Sequence, residues 1–188
     1  MSLIGKKFPS ITVNATDKSG KSFQLNVLDA VLSEKKKAIV FWYPKNFTSV
    51  CSSEMHAFEE AHGEFIKRNT LVFGASCYSV EQHSEWLSAN RDTGGISGVQ
   101  FPILSDTDRE LAMALDILDN SSESHEIQKS SGVTFRATYL IDETGTVFHE
   151  SVNHMPVGRN IAEFIRLIDA WSHVNTHGEA CLANWNVA

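Results

Sequence analysis

Ala38-Ile39-Val40-Phe41-Trp42-Tyr43-Pro44-Lys45-Asn46-Phe47-Thr48-Ser49-Val50-Cys51-Ser52-Ser53-Glu54 is the stretch that decides the fold. Its first six residues are apolar, β-branched or aromatic, the pattern of a short buried strand. Pro44 ends that strand, because proline has no N–H to give to a sheet ladder. Asn46 or Thr48 then offers a helix cap, and Met55, Phe58, Ala61 and Phe65 follow on a helical stripe. Cys51 is thereby set in the first turn of a helix that leaves the end of a strand. Unpaired backbone N–H groups and the helix dipole favour the thiolate there, and the thiolate is the reactive form of cysteine. Thr48 lies one turn earlier, so its hydroxyl is within reach of the sulfur or of whatever the sulfur attacks. Taken alone, Cys51 reads equally well as a buried core thiol. The neighbouring Pro44 and Thr48, which a structural cysteine does not need, favour the reactive reading.

Outward from this segment, strands and helices alternate. Ile11–Val13 and Ser22–Leu25 read as short β pieces around a turn at Asp17–Gly20. Lys35-Lys36-Lys37 reads as a solvated turn before the strand. Thr70–Ser76 reads as a second buried strand, followed by helices over Ser79–Ala89 and Asp108–Leu118. Thr138–Ile141 and Thr146–His149 flank Asp142-Glu143-Thr144-Gly145 as a hairpin. Ile161, Phe164, Ile165, Ile168 and Trp171 give residues 161–174 an amphipathic helical stripe. The pattern predicts an α/β protein with a central mixed sheet flanked by helices. One domain over residues 1–175 and a polar, mobile C-terminal tail over 176–188 are expected.

Composition excludes several function classes. A chain of 188 residues can bury one substantial core. Its formal net charge of -7 argues against nucleic acid, which rewards basic surfaces. No stretch is apolar and long enough to suggest a membrane span, and the first residues lack the apolar core of a signal peptide. A cytoplasmic location is therefore expected. Three cysteines do not make a disulfide scaffold, and an odd number fits redox chemistry. Eight histidines are scattered as surface or core residues, and no metal is expected.

Pro44, Thr48 and Cys51 fill the pattern Pro-x-x-x-Thr-x-x-Cys, and the segment resembles the active-site motif of the peroxiredoxins. With Tyr43, Phe47, Val50 and Glu54 the wider phrase is similar to the typical two-cysteine class, which includes the peroxidase subunit of bacterial alkyl hydroperoxide reductase. Ser52-Ser53 departs from it, since Pro-Thr is usual at those positions. The resemblance covers essentially the whole chain and implies a thioredoxin-like fold. It also implies roles for four further residues. Arg136, entering an apolar strand, would aim at the sulfur, favour its thiolate form and hold the peroxide oxygens. Read from the residues alone, Arg136 is equally a surface arginine at a strand end. Arg159 resembles a partner for Glu54, with a helix-start arginine as the alternative. Cys181, in a tail phrase with Trp185, would be the resolving cysteine that attacks the oxidised Cys51 of a partner subunit. Leu182 departs from the proline usual after that cysteine. Cys77 has no role in the pattern and reads as a packing residue.

The activity so implied is reduction of hydrogen peroxide and alkyl hydroperoxides through a sulfenic acid and an intersubunit disulfide. The sulfur carries the redox step, so no cofactor is expected. The implied partners are a hydroperoxide, a dithiol reductase of thioredoxin type or a dedicated reductase, and a second copy of the chain, in a homodimer assembling into a ring such as a decamer. The loop Gly94-Gly95-Ile96-Ser97 departs from the Gly-Gly-Leu-Gly of oxidation-sensitive members, and the Tyr-Phe extension is missing. A short bacterial form or a shortened chain is expected from this. Two other readings exist. A thiol-disulfide carrier is disfavoured because Ser52-Ser53-Glu54 gives no Cys-x-x-Cys, and a non-enzymatic ring-forming holdase is separated by a peroxide-consumption assay.

Overall fold

The computed structural model describes residues 2–119 and 132–187. Seven strands form one sheet in the order β2-β1-β5-β4-β3-β6-β7. They are β1 Thr12–Thr16, β2 Ser22–Asn26, β3 Lys37–Trp42, β4 Thr70–Ser76, β5 Ile103–Ser105, β6 Arg136–Ile141 and β7 Val147–Asn153. The helices are α1 Val27–Glu34, α2 Ser49–Glu60, α3 His62–Lys67, α4 Val80–Ser88, α5 Glu110–Ala114 and α6 Ile161–His177, the last of the described helices. β3 pairs in parallel with β4 and antiparallel with β6, so the sheet is mixed.

All six residues of β3 are buried, and its period-two alternation divides the core. Ala38, Val40 and Trp42 face one side, with Val31, Leu111 and Ile141. Ile39, Phe41 and Tyr43 face the other, where α2 and α6 pack with Met55, Phe58, Phe164 and Ile168. The Phe41 and Phe58 rings stack with centroids 3.7 Å apart, fixing α2 against the strand that precedes it. At the far end of β4 and β5, the buried His83 ring on α4 lies between Ser76 Oγ at 2.8 Å and Ser105 Oγ at 2.9 Å. Burial pushes this imidazole down to about 3.

Several expectations need correction. The helix expected to run on through Phe65 breaks at Ala61, giving α2 and α3. The helix expected over Asp108–Leu118 is only Glu110–Ala114, because Arg109 and Asp116 adopt left-handed backbone. Leu115 and Leu118 are buried all the same, so the apolar spacing reported burial and not helix length. Lys35–Lys37 is not a solvated turn throughout. Lys37 opens β3, is buried, and pairs with Glu143 at 2.8 Å. α1 and β5 escaped the sequence reading. α6 itself runs to His177, beyond the stretch 161–174 expected for it.

Candidate active site

The strand–proline–helix unit is built as its residues demand. The Tyr43 N–H donates to the Ala75 carbonyl at 3.0 Å, extending the ladder one residue beyond β3. The buried Pro44 then stops it. Phe47 takes a left-handed conformation at φ 57°, and Thr48 stands at the N-cap of α2 with extended backbone. Its hydroxyl donates to the Lys45 carbonyl at 3.1 Å and not to the helix or the sulfur. The oxygen keeps its lone pairs for an incoming donor. Cys51 is the third residue of α2 and is fully buried. The first helical bond runs from the Ser52 N–H to the Thr48 carbonyl at 2.8 Å. The earlier N–H groups of the helix therefore point, unpaired within it, toward the site.

Two arginines and one carboxylate surround the sulfur. Arg136, the first residue of β6, lies with Nη1 at 3.3 Å from Cys51 Sγ and 2.8 Å from Glu54 Oε2. Its Nε donates to the Met155 carbonyl at 2.5 Å, which fixes the guanidinium plane. Glu54, one turn beyond Cys51, accepts the Arg159 backbone N–H on Oε1 at 3.0 Å. Arg159 Nε stands 3.5 Å from the same oxygen. The Arg159 guanidinium also donates to the Trp42 carbonyl and lies over the Phe41 ring, 5.4 Å from its centroid. Burial pushes Arg159 down to about 10, against the opposing pull of Glu54. Arg136, Arg159 and Glu54 are each almost wholly withdrawn from water. Together the three carry one excess positive charge, and burying an unbalanced charge is costly. A thiolate at Cys51 balances it.

The structure thus gathers Pro44, Thr48, Cys51, Glu54, Arg136 and Arg159, and it leaves Cys181 apart. The tail, expected to be mobile, lies back along α6. The Cys181 thiol is half-buried and donates to the Ala170 carbonyl at 3.6 Å. Arg166 Nη1 donates to the Trp185 carbonyl at 3.0 Å, and the Trp185 and His173 rings lie 5.0 Å apart. Cys77 packs against the core beside β4, and burial pushes its thiol up to about 12, which favours the protonated form.

Sequence reasoning missed how the site is tied to α4. Asn46 Nδ2 donates to the Gln82 carbonyl at 3.2 Å. Ser52 Oγ donates to the Gly94 carbonyl at 2.8 Å, and Trp86 Nε1 donates to the same oxygen at 2.9 Å. The acceptors are main-chain carbonyls, so no residue type marks them in advance. Among the described residues, no three His, Cys, Asp or Glu side chains are placed to hold a metal ion, and no helix is long and apolar enough to cross a membrane.

The model of the AhpC/TSA family matches residues 4–150. An alkyl hydroperoxide reductase C of Buchnera aphidicola subsp. Schizaphis graminum is 36% identical over 186 residues, which are 98% of this chain and 88% of that one. A mitochondrial thioredoxin-dependent peroxide reductase of Drosophila melanogaster is 38% identical over 151 residues, 80% of this chain. The chain spans 61% of that relative's length. The reduced 2-Cys peroxiredoxin of Plasmodium vivax superposes with a TM-score of 0.89 at 31% identity, covering 99% of this chain and 90% of that structure. The chain belongs to the AhpC/TSA family and, within it, to the typical two-cysteine peroxiredoxins.

Proposed function

We propose that Cys51 is the peroxidatic thiolate of this thiol-dependent peroxidase and that Cys181 of a second subunit resolves it. The observation that carries the reading is the buried cluster in which one arginine Nη1 reaches both Cys51 Sγ and Glu54. The Cys51 thiolate attacks the distal oxygen of a hydroperoxide. An S–O bond forms as the O–O bond breaks, the sulfur loses two electrons, and the leaving oxygen takes a proton to depart as water or alcohol. Arg136 stabilises charge on both oxygens in flight, and Thr48 accepts a hydrogen bond from the peroxide hydroxyl. Pro44 offers no donor and walls the pocket. Glu54 and Arg159 act through Arg136, holding its fork in place.

The sulfenic acid then meets the Cys181 thiol. An S–S bond forms, the S–O bond breaks, and water leaves with the thiol proton. A dithiol protein supplies two electrons to restore both thiols. A thioredoxin-type donor is supported by the name of the fly relative. An intersubunit route, and with it a homodimer, is supported by the docking of Cys181 on its own α6 away from its own Cys51. A decameric ring and a cytoplasmic location complete the proposal. The test is peroxide consumption coupled to NADPH through thioredoxin and its reductase, with hydrogen peroxide and cumene hydroperoxide. Turnover with either peroxide supports the reading, and none with either, under any dithiol donor, refutes it. Sedimentation velocity distinguishes dimer from ring.

A further inference from the structure

Cys51 is fully buried, so it cannot bond to a thiol of another subunit while the first turn of α2 stays wound. Something must hold that turn closed, and its strength must matter. The backbone contributes the Ser52 N–H bond to Thr48. The side chain of the same residue contributes a second tie, from the Ser52 hydroxyl to the Gly94 carbonyl at 2.8 Å.

That carbonyl is a fixed post. Trp86 on α4 donates to it at 2.9 Å. The Gly94 N–H donates to Arg91, the Gly95 N–H to Asn90, the Ile96 N–H to Trp86 and the Ser97 N–H to Ala89. Gly94 itself is left-handed at φ 80°, and a Cβ at Gly95 would fall 2.1 Å from the Ala89 carbonyl oxygen. The loop therefore has no slack. Asn46 binds the chain entering α2 to Gln82 of the same α4. The entry to α2 and its first turn are thus both moored to this rigid neighbour, the first turn through the Ser52 hydroxyl, next to the reactive residue.

We propose that the Ser52 hydroxyl is a positioning group that latches the first turn of α2 to the Gly94 carbonyl and so sets how the Cys51 sulfenic acid is partitioned. The inference rests on the reading of Cys51 as the peroxidatic residue. With the turn wound, the sulfenic acid stays in the peroxide pocket. A second hydroperoxide adds oxygen to the sulfur, breaks its own O–O bond and leaves as alcohol, giving sulfinic acid. With the turn open, Cys181 of a second subunit forms the S–S bond and water leaves. The latch favours the first branch at the expense of the second.

The test compares wild type with Ser52→Ala, which loses the donor, and Ser52→Thr, which keeps it. Removing one neutral hydrogen bond should speed amide hydrogen exchange at residues 52–55 of the reduced protein by roughly three- to tenfold. The peroxide needed to convert half of Cys51 to sulfinic acid, read by intact mass with a dithiol donor present, should rise by a similar factor in Ser52→Ala. Ser52→Thr should return both readings toward wild type. The rate of the first oxidation should change little, because no group that touches the peroxide is altered. Unchanged exchange in Ser52→Ala overturns the latch. Faster exchange with an unchanged sulfinic threshold overturns the partition. If wild-type Cys51 never oxidises, the reading of Cys51 has failed, and the exchange measurement still decides the latch.

Discussion

Replacing Arg136 with Met removes the one cation that, among the described residues, hydrogen-bonds to the sulfur. The separation of 3.3 Å between Nη1 and Sγ sets the scale. At an effective dielectric of about 20, a full charge pair at that distance interacts by about 5 kcal/mol. Part of this is already offset, because the same nitrogen serves Glu54 at 2.8 Å. A charge-assisted hydrogen bond contributes about 1.5–3 kcal/mol net, and the upper end is a factor of about a hundred in rate. That agrees with the roughly hundred- to thousandfold cost of losing a donor that stabilises transition-state charge. Arg136→Met should therefore slow the first oxidation about a hundredfold, measured as single-turnover peroxide loss with protein in excess. Alkylation of Cys51 by iodoacetamide at neutral pH should slow as well. Glu54 would lose one of its two buried cations, so a circular-dichroism melt must show that the variant is folded. Arg136→Lys should lose less, on the order of tenfold, because a point charge cannot serve Met155, Glu54 and Sγ as the planar fork does. A folded Arg136→Met within threefold of wild type in both assays would refute the assignment.

Cys51→Ser should fall to background peroxide consumption, since a serine hydroxyl with no adjacent base is a poor nucleophile; residual turnover above a tenth of wild type would contradict this. Oxidised wild type should run as a disulfide-linked dimer on non-reducing gels, Cys181→Ser should abolish that band, and the variant should accumulate Cys51 sulfinic acid faster by mass spectrometry. Equal sulfinic accumulation in both would remove Cys181 from the mechanism. His83 should make the fold acid-sensitive. Its imidazole is held at about 3 by burial, against about 6.5 in an unfolded chain, so below pH 6.5 the unfolded state binds the proton and the folded state does not. Stability should fall as the pH drops from about 6.5 toward 3, by about 2–3 kcal/mol at pH 4.5. Urea midpoints at pH 8 and 4.5 should differ less in His83→Gln than in wild type; an equal difference would place the acid sensitivity elsewhere.

The elements most legible in the sequence were those whose side chains alone decide them. Six consecutive apolar residues followed by Pro44 can hardly be anything but a buried strand that stops, and the stripe from Met55 to Phe58 follows from burial against it. α1 was hidden because Val27 and Leu28 continue the β-like run of Ser22–Leu25; its signal was Asn26, whose side chain caps the helix through the Asp29 N–H at 3.3 Å. β5 has three residues, too few to show a period. The break at Ala61 had a signal in Gly63, two residues on, whereas the left-handed Arg109 has no Gly or Pro beside it to announce it. In the site, Cys51, Thr48 and Pro44 lie close in sequence, so spacing revealed them. Arg136 and Arg159 arrive from 85 and about 108 residues away, and only the family resemblance could join them to Cys51.

The end of α6 acts as a ruler on the assembly. Gly178 caps that helix in left-handed backbone at φ 69°, its N–H closing on the Val174 carbonyl. Cys181 lies only three residues farther on. Fully extended, three residues reach about 10 Å, and a disulfide spans about 4–7 Å between Cα atoms. With Cys181 in the resolving role proposed above, and while α6 keeps its last turn, the partner's Cys51 Cα must come within about 17 Å of the Gly178 Cα. Two chains that pair with these points farther apart cannot complete the cycle, however well their surfaces fit. The short tether thus selects, among all two-fold arrangements of this fold, those that set the exit of α6 of one subunit against the entry of α2 of the other.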